Sequence, residues 1–127
     1  TINKRYEELI KLTDSIGLYY DTELLDEGKI KKFKKYIKNK KIDKTRTVFF
    51  IFSNDIKYCI ENKEQLGIRD ITCDYFFVEE NKSFDKRYID MKLISLCKNL
   101  IISDCSFARW AYYLNSFCEK EKAIFIE

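Results

Sequence analysis

The chain has 127 residues, of which 46% are hydrophobic and 16% aromatic, so it can bury the core of one domain. With no proline and three glycines it is not collagen-like, linker-like or of low complexity, and with no histidine it lacks the usual zinc ligand and the general base of Ser-His and Cys-His pairs. The net charge of +3 is unevenly distributed: one basic segment, residues 29–44, holds nine lysines and a single aspartate.

The first 46 residues predict an N-terminal helical region. Residues 3–16 place apolar side chains on one side of a helix, and Gly17 is a natural helix stop. Residues 29–44 predict a second helix with lysines around one apolar stripe. The stripe consists of Ile30, Phe33 and Ile37. A solvated surface helix explains these lysines; contact with an anionic membrane or nucleic acid is the alternative, and no arginine cluster or RNA-binding aromatic motif supports nucleic acid.

From residue 47 onward, short β-rich runs alternate with helical patterns. Strands are predicted over residues 47–52, 73–78, 100–102 and 123–126, and helices over 56–66, 88–97 and 106–117. The first strand is apolar on both faces, which is typical of a strand inside a covered parallel sheet. We therefore expect a single α/β domain, in which a βαβαβαβ core over 47–127 forms a doubly wound, mainly parallel Rossmann-like sheet.

The pattern of the five cysteines predicts buried, reduced thiols in a cytoplasmic protein. They are Cys59, Cys73, Cys97, Cys105 and Cys118. Their number is odd, most lie in apolar runs, and none has the spacing of a zinc site, so we expect no bound metal. No apolar run is long enough to cross a bilayer. If the protein contacts a membrane, we therefore expect a peripheral contact through the lysines of residues 29–44. Because the chain begins at Thr1, we expect it to be a fragment of a longer protein.

Polar residues follow the predicted strands at the positions where open parallel sheets bind ligands. Residues 53–55 (Ser-Asn-Asp) and 103–106 (Ser-Asp-Cys-Ser) each lead into a helix, where capping is the plain interpretation and binding of a ribose, a base or a phosphate is the functional one. Asp90 lies among apolar neighbours and is either an N-terminal helix residue or a ligand to a sugar or base. No Gly-x-Gly-x-x-Gly or P-loop motif occurs, so these residues alone predict a nucleotide-type pocket.

Three segments resemble the α-1,2-fucosyltransferase family, glycosyltransferase family 11. Residues 49–55, FFIFSND, resemble the family's FSDD strand end, and residues 90–98, DMKLISLCK, resemble its DLxLMSLCKH segment. Residues 100–115, LIISDCSFARWAYYLN, are similar to IIANSSFSWWGAWLN. The segments occur in family order over about residues 30–127.

The resemblance implies the GDP-fucose-binding half of a GT-B glycosyltransferase. Such an enzyme transfers fucose to a glycan hydroxyl with inversion and without a metal, so GDP-fucose and a glycan acceptor are the implied partners and no cofactor is expected. The implied donor-binding residues are Asn54, Asp55 and Asp90 on the guanosine side and Ser106, Phe107 and Arg109 on the phosphate side.

The sequence departs from the family pattern at functional positions. Asn54 replaces an aspartate, and Asp104 replaces an asparagine near the expected diphosphate, where Arg109 can offset its charge. The family's HxRRxD arginine, which neutralises the departing diphosphate, has its nearest candidate in Arg5, and the residues around Arg5 also fit the start of a helix. If this arginine is missing, a non-catalytic α/β binding module is the alternative function.

Overall fold

The computed structural model describes residues 2–79 and 86–127, and these residues contain one parallel sheet. Its strands are β1 (Asp14–Tyr20), β2 (Thr47–Ser53), β3 (Asp74–Phe77), β4 (Asn99–Ser103) and β5 (Ala123–Ile126). Their order across the sheet is β3-β2-β1-β4-β5, and every neighbouring pair is parallel. The predicted α/β, Rossmann-like parallel sheet is therefore confirmed.

Helices cover both faces of the sheet. They are α1 (Ile2–Leu12), α2 (Glu27–Asn39), α3 (Ile56–Glu61), α4 (Lys86–Ile94) and α5 (Ser106–Tyr113), with short 3-10 turns at Ile68–Asp70 and Lys120–Lys122. Along β2, Phe50 and Phe52 pack on the face covered by α1, α4 and α5, whereas Phe49 and Ile51 pack on the face covered by α2 and α3. This two-sided burial explains why the β2 run is apolar without alternation.

The predicted helical region over the first 46 residues is wrong for Asp14–Tyr20. This segment is β1, the central strand, which pairs with β2 on one side and β4 on the other. Gly17 lies inside the strand and does not end α1, which stops at Leu12. A Cβ atom on Gly17 would lie 3.0 Å from Cys97 Sγ and 3.1 Å from Leu100 Cδ2. Because these side chains approach so closely, a larger residue than glycine fits here only if Cys97 and Leu100 shift, and the position carries a glycine where a strand pattern would show an apolar residue.

The lysine-rich segment forms α2, and its predicted apolar stripe is confirmed. Phe33 and Ile37 are buried in the core and Ile30 packs at its margin. The helix is shorter than the predicted 29–44 and begins after Asp26, whose carboxylate accepts a hydrogen bond of 2.9 Å from the backbone N–H of Lys29. In the described residues, no helix is long and apolar enough to cross a membrane.

Two other helices end earlier than predicted because an asparagine side chain binds the chain beyond them. The amide of Asn115 donates to the carbonyl oxygens of Ile94 at 3.0 Å and Cys97 at 2.8 Å, after the end of α4. Its Oδ1 accepts from the backbone N–H groups of Phe117 and Cys118, which follow α5. These bonds pair backbone groups at the two helix ends and in the chain that follows them, and they hold the two ends together.

The cysteines are all free thiols, as predicted, but they are not all buried. Cys59 and Cys97 are buried, whereas the other three are partly exposed. The described residues hold no cluster of three or more cysteine, aspartate or glutamate side chains that could bind a metal ion.

Candidate functional site

Two buried serines tie together the carboxyl ends of the inner strands. The hydroxyl of Ser53, at the end of β2, donates to the carbonyl oxygen of Tyr20 at 2.7 Å and accepts from the N–H of Asp55 at 3.0 Å. The hydroxyl of Ser103, at the end of β4, accepts from the N–H of Asp21 at 3.0 Å. Since both hydroxyls bind backbone groups of neighbouring segments, they fix the edge of the sheet.

A small cavity lies at this edge, on the face that carries α4 and α5. Its lining consists of Tyr19, Ser53, Asn54, Arg87, Asp90 and Phe107. Its volume is about 60 Å³, room for a few water molecules, so it can take one end of a ligand and not a whole nucleotide. Three predicted site residues, Asn54, Asp90 and Phe107, meet here although 53 residues separate the first from the last.

Asp90 brings a carboxylate into the cavity from α4. The residue is 2% exposed, and its negative charge contributes to the raised pKa of Tyr19, which is caused mainly by burial. A carboxylate costs much free energy to bury unless donors or cations face it. A buried acid in a cavity at the edge of a parallel sheet is therefore a candidate ligand-binding group.

Asn54 has a structural role as well as a place in the cavity. Its Oδ1 accepts from the Thr22 backbone N–H at 2.9 Å and from the Thr22 hydroxyl at 3.2 Å, and its Nδ2 lies 3.5 Å from an oxygen of Asp21. The side chain thus joins the end of β2 to the loop that follows β1.

Asp55 lies next to the cavity without lining it. It is the N-cap of α3, where its carboxylate accepts from the N–H of Tyr58 at 3.2 Å. The capping that the sequence suggested for Ser53 or Asn54 is therefore performed by the next residue. The Asp55 side chain is exposed, so its second carboxylate oxygen remains accessible to solvent.

Phe107 and Ser106 form the start of α5. The Phe107 ring is almost buried, and its centroid lies 5.0 Å from that of the Tyr19 ring, which joins the helix to β1. Ser106 is exposed at the first position of the helix, and Cys105 is the N-cap, without a side-chain capping bond. The structure therefore places Phe107 in the cavity wall and Ser106 beside it.

Arg109 is bound to Asp104, outside the cavity lining. Its Nε and Nη2 donate to the two carboxylate oxygens at 2.8 and 3.0 Å, and its Cζ lies 3.7 Å above the Phe125 ring centroid on β5. This hydrogen-bonded pair lowers the pKa of Asp104 and raises that of Arg109. Arg109 thus offsets the charge of Asp104, as expected, through a bidentate ion pair.

Arg5 lies apart from the other predicted site residues. It is exposed on α1 and lines a different surface pocket, of about 400 Å³, together with Tyr6, Leu9 and Phe76. The structure does not bring Arg5 into the cavity with Asp90.

Arg87 and Tyr19 line the cavity, and sequence reasoning did not select either of them. Arg87 precedes Asp90 by one helical turn, a spacing that puts both on one side of α4 and that could have drawn attention to it. Tyr19 could not be predicted as a lining residue because its strand, β1, was not predicted.

Comparison with known proteins gives two findings. The family model described as "Glycosyl transferase family 11" matches residues 26–121. An alpha-1,2-colitosyltransferase from Escherichia coli is 36% identical over 70 residues, which are 55% of this chain and 22% of that protein. The matched part therefore spans about a fifth of the relative's length. Because the family model covers most of the chain, including the three segments that meet at the cavity, this protein belongs to glycosyltransferase family 11.

Proposed function

We propose that this chain binds the nucleotide of GDP-fucose, as the donor-binding part of a fucosyltransferase-like enzyme. The observation that carries the proposal is the composition of the cavity. All three family-like segments contribute to the lining: Ser53 and Asn54 come from the end of β2, Asp90 comes from α4, and Phe107 comes from α5. Segments distant in the chain meet at the sheet edge where parallel α/β folds bind nucleotides.

The donor residues divide into two groups in this proposal. Asp90 and the exposed Asp55 offer acceptor oxygens for the ribose and guanine N–H and O–H groups. Asn54 belongs to the same group as a wall residue, because its Oδ1 already accepts from Thr22. Ser106 and Phe107 begin α5, where the first backbone N–H groups and the helix dipole favour a phosphate. Arg109 supports the phosphate side by neutralising Asp104.

The proposed reaction is a direct displacement. The oxygen of an acceptor glycan hydroxyl forms a bond to C1 of the sugar while the bond from C1 to the diphosphate oxygen breaks. GDP leaves with the bonding electrons, the proton of the attacking hydroxyl passes to water, and attack from the opposite side inverts the anomeric centre. Cationic and N–H groups of the protein stabilise the leaving diphosphate, and no metal takes part.

The donated sugar is proposed from the family. The Escherichia coli relative is named for transfer of colitose, and colitose, like fucose, is a deoxy sugar. A comparison of GDP-fucose with GDP shows whether the sugar adds affinity in this chain.

A thermal-shift panel tests the donor proposal. GDP, GDP-fucose, UDP and ADP are added separately to the chain, and a ligand at about 100 times its dissociation constant should raise the stability by about 2.7 kcal/mol. We expect stabilisation by GDP and GDP-fucose and a loss of this effect in Asp90→Asn. Flat traces with all four ligands would overturn the donor site and favour a non-catalytic interaction module.

The exposed lysines of α2 support a second part of the proposal, peripheral contact with an anionic membrane. Lys31 and Lys35 project from the helix into solvent, away from the buried Phe33. Such a lysine gains about 1 kcal/mol near an anionic lipid surface.

A further inference from the structure

We propose that Arg87 binds a phosphate group of the donor diphosphate, the role that the family resemblance assigned to Arg5. This inference rests on the proposed function. It names the group of this chain that supplies positive charge at the nucleotide cavity.

The lining of the cavity points to Arg87 first. Among the described residues that line the cavity it is the cationic one, and it shares the wall with Asp90 and Phe107. Its side chain is exposed, so a ligand that enters from solvent can reach it. Arg5, by contrast, lines the separate pocket between α1 and β3.

Within residues 2–79 and 86–127, the contacts of Arg87 leave its hydrogen-bond donors available. The Cζ atom lies 4.9 Å from the centroid of the Phe107 ring, which is a cation–π contact. Among the described residues, the guanidinium forms no ion pair with a carboxylate. A contact with a ring uses the charge of the guanidinium and does not consume its five N–H donors.

The chemistry of this arrangement fits a phosphate. A guanidinium presents paired N–H donors that match two phosphate oxygens, and its charge persists at any physiological pH. Phe107 holds Arg87 close to the start of α5, whose dipole also favours an anion. Asp90 occupies the same wall, so a ligand that binds here needs hydrogen-bond donors as well as negative charge, and a guanosine diphosphate has both.

The test compares GDP with guanosine in titration calorimetry on the full 127-residue chain and on three variants. Arg87→Gln is the test variant and Arg5→Gln the competing one. Arg69→Gln is the matched control, because Arg69 is exposed in a 3-10 turn on the opposite face of the sheet. Each variant removes one positive charge, so a general charge effect would weaken all three equally.

We expect Arg87→Gln to weaken GDP binding about tenfold to a hundredfold, the range for a lost hydrogen bond to a charged group, and to leave guanosine binding unchanged. Arg5→Gln and Arg69→Gln should bind GDP like the parent. Parent-like GDP binding in Arg87→Gln overturns the inference, as does an equal loss of GDP and guanosine, which would mean that Arg87 shapes the cavity by packing on Phe107. If the parent binds neither ligand, the proposed function fails together with the inference.

Discussion

The polar residues at the strand ends have different roles that their sequence positions do not distinguish. Ser53 and Ser103 have their hydroxyl groups bound to backbone atoms, which makes them structural. Asp90, one turn into a helix, is buried against the cavity. Three-dimensional placement is needed to separate a cap from a candidate ligand, because serine, asparagine and aspartate suit both roles.

Asp55 allows the two roles to be separated by experiment. Asp55→Ala should lower the free energy of unfolding by about 1 kcal/mol because it removes the N-cap of α3, and Asp55→Asn should preserve stability because asparagine caps equally well. Urea denaturation measures both effects. If Asp55→Asn keeps its stability but loses GDP affinity, the carboxylate is a ligand; unchanged GDP affinity would restrict Asp55 to capping.

The Asp104–Arg109 pair gives a pH-dependent contribution to stability. Because the hydrogen bond from Arg109 lowers the pKa of Asp104, this contribution is fully present above the ordinary carboxyl pKa of about 4 and is lost as the pH falls through the lower folded-state value. The two side chains are 26% and 37% exposed, so solvent screening limits the effect to about 1 kcal/mol or less.

We expect Asp104→Asn to have a lower free energy of unfolding than the parent at pH 7, and the difference to become smaller at pH 3, below the ordinary carboxyl pKa. Urea denaturation of both proteins at the two pH values measures it. A difference that stays the same at low pH would show that the hydrogen bonds matter and the carboxylate charge does not.

At the scale of elements, most of the core could be predicted from the sequence because burial leaves a clear pattern. The apolar run of β2 and the stripe of α2 were recognised because every inward position carries an apolar residue. The sequence does not predict β1, because Gly17 interrupts the apolar pattern of this strand. The glycine is explained by the close approach of Cys97, which is 80 residues away in the sequence. The sequence does not single out Arg87 either, because its contact with Phe107 joins two helices that are distant in the sequence.

Gly17→Ala tests the packing that explains β1. The added methyl would lie 3.0 Å from Cys97 Sγ and 3.1 Å from Leu100 Cδ2, so we expect a loss of about 1–3 kcal/mol in the free energy of unfolding. Gly28→Ala is the control, because its Cβ meets only Asp26 Oδ1, at 3.4 Å, and alanine favours the helix. The loss should be smaller in a Cys97→Ala background; an equal loss there would contradict the assigned contact.

At the scale of the whole molecule, the lysine-rich helix α2 and the cavity at the strand ends lie on different surfaces. The cavity lies on the face covered by α1, α4 and α5, while the lysines of α2 lie on the opposite face. A membrane bound through α2 would therefore leave the cavity free to exchange nucleotide. The two proposals are independent, and each can fail without the other.

The α2 proposal predicts salt-dependent binding to vesicles that contain phosphatidylserine, and sedimentation measures it. Lys31→Glu/Lys35→Glu should abolish most of the binding, since two favourable charges become repulsive near the anionic surface. Lys120→Glu/Lys122→Glu makes the same charge change on an exposed turn outside α2 and should bind like the parent. Equal losses in both variants would show that net charge acts without a defined surface. Binding of the parent to duplex DNA, with no binding to vesicles, would assign the lysines to nucleic acid instead.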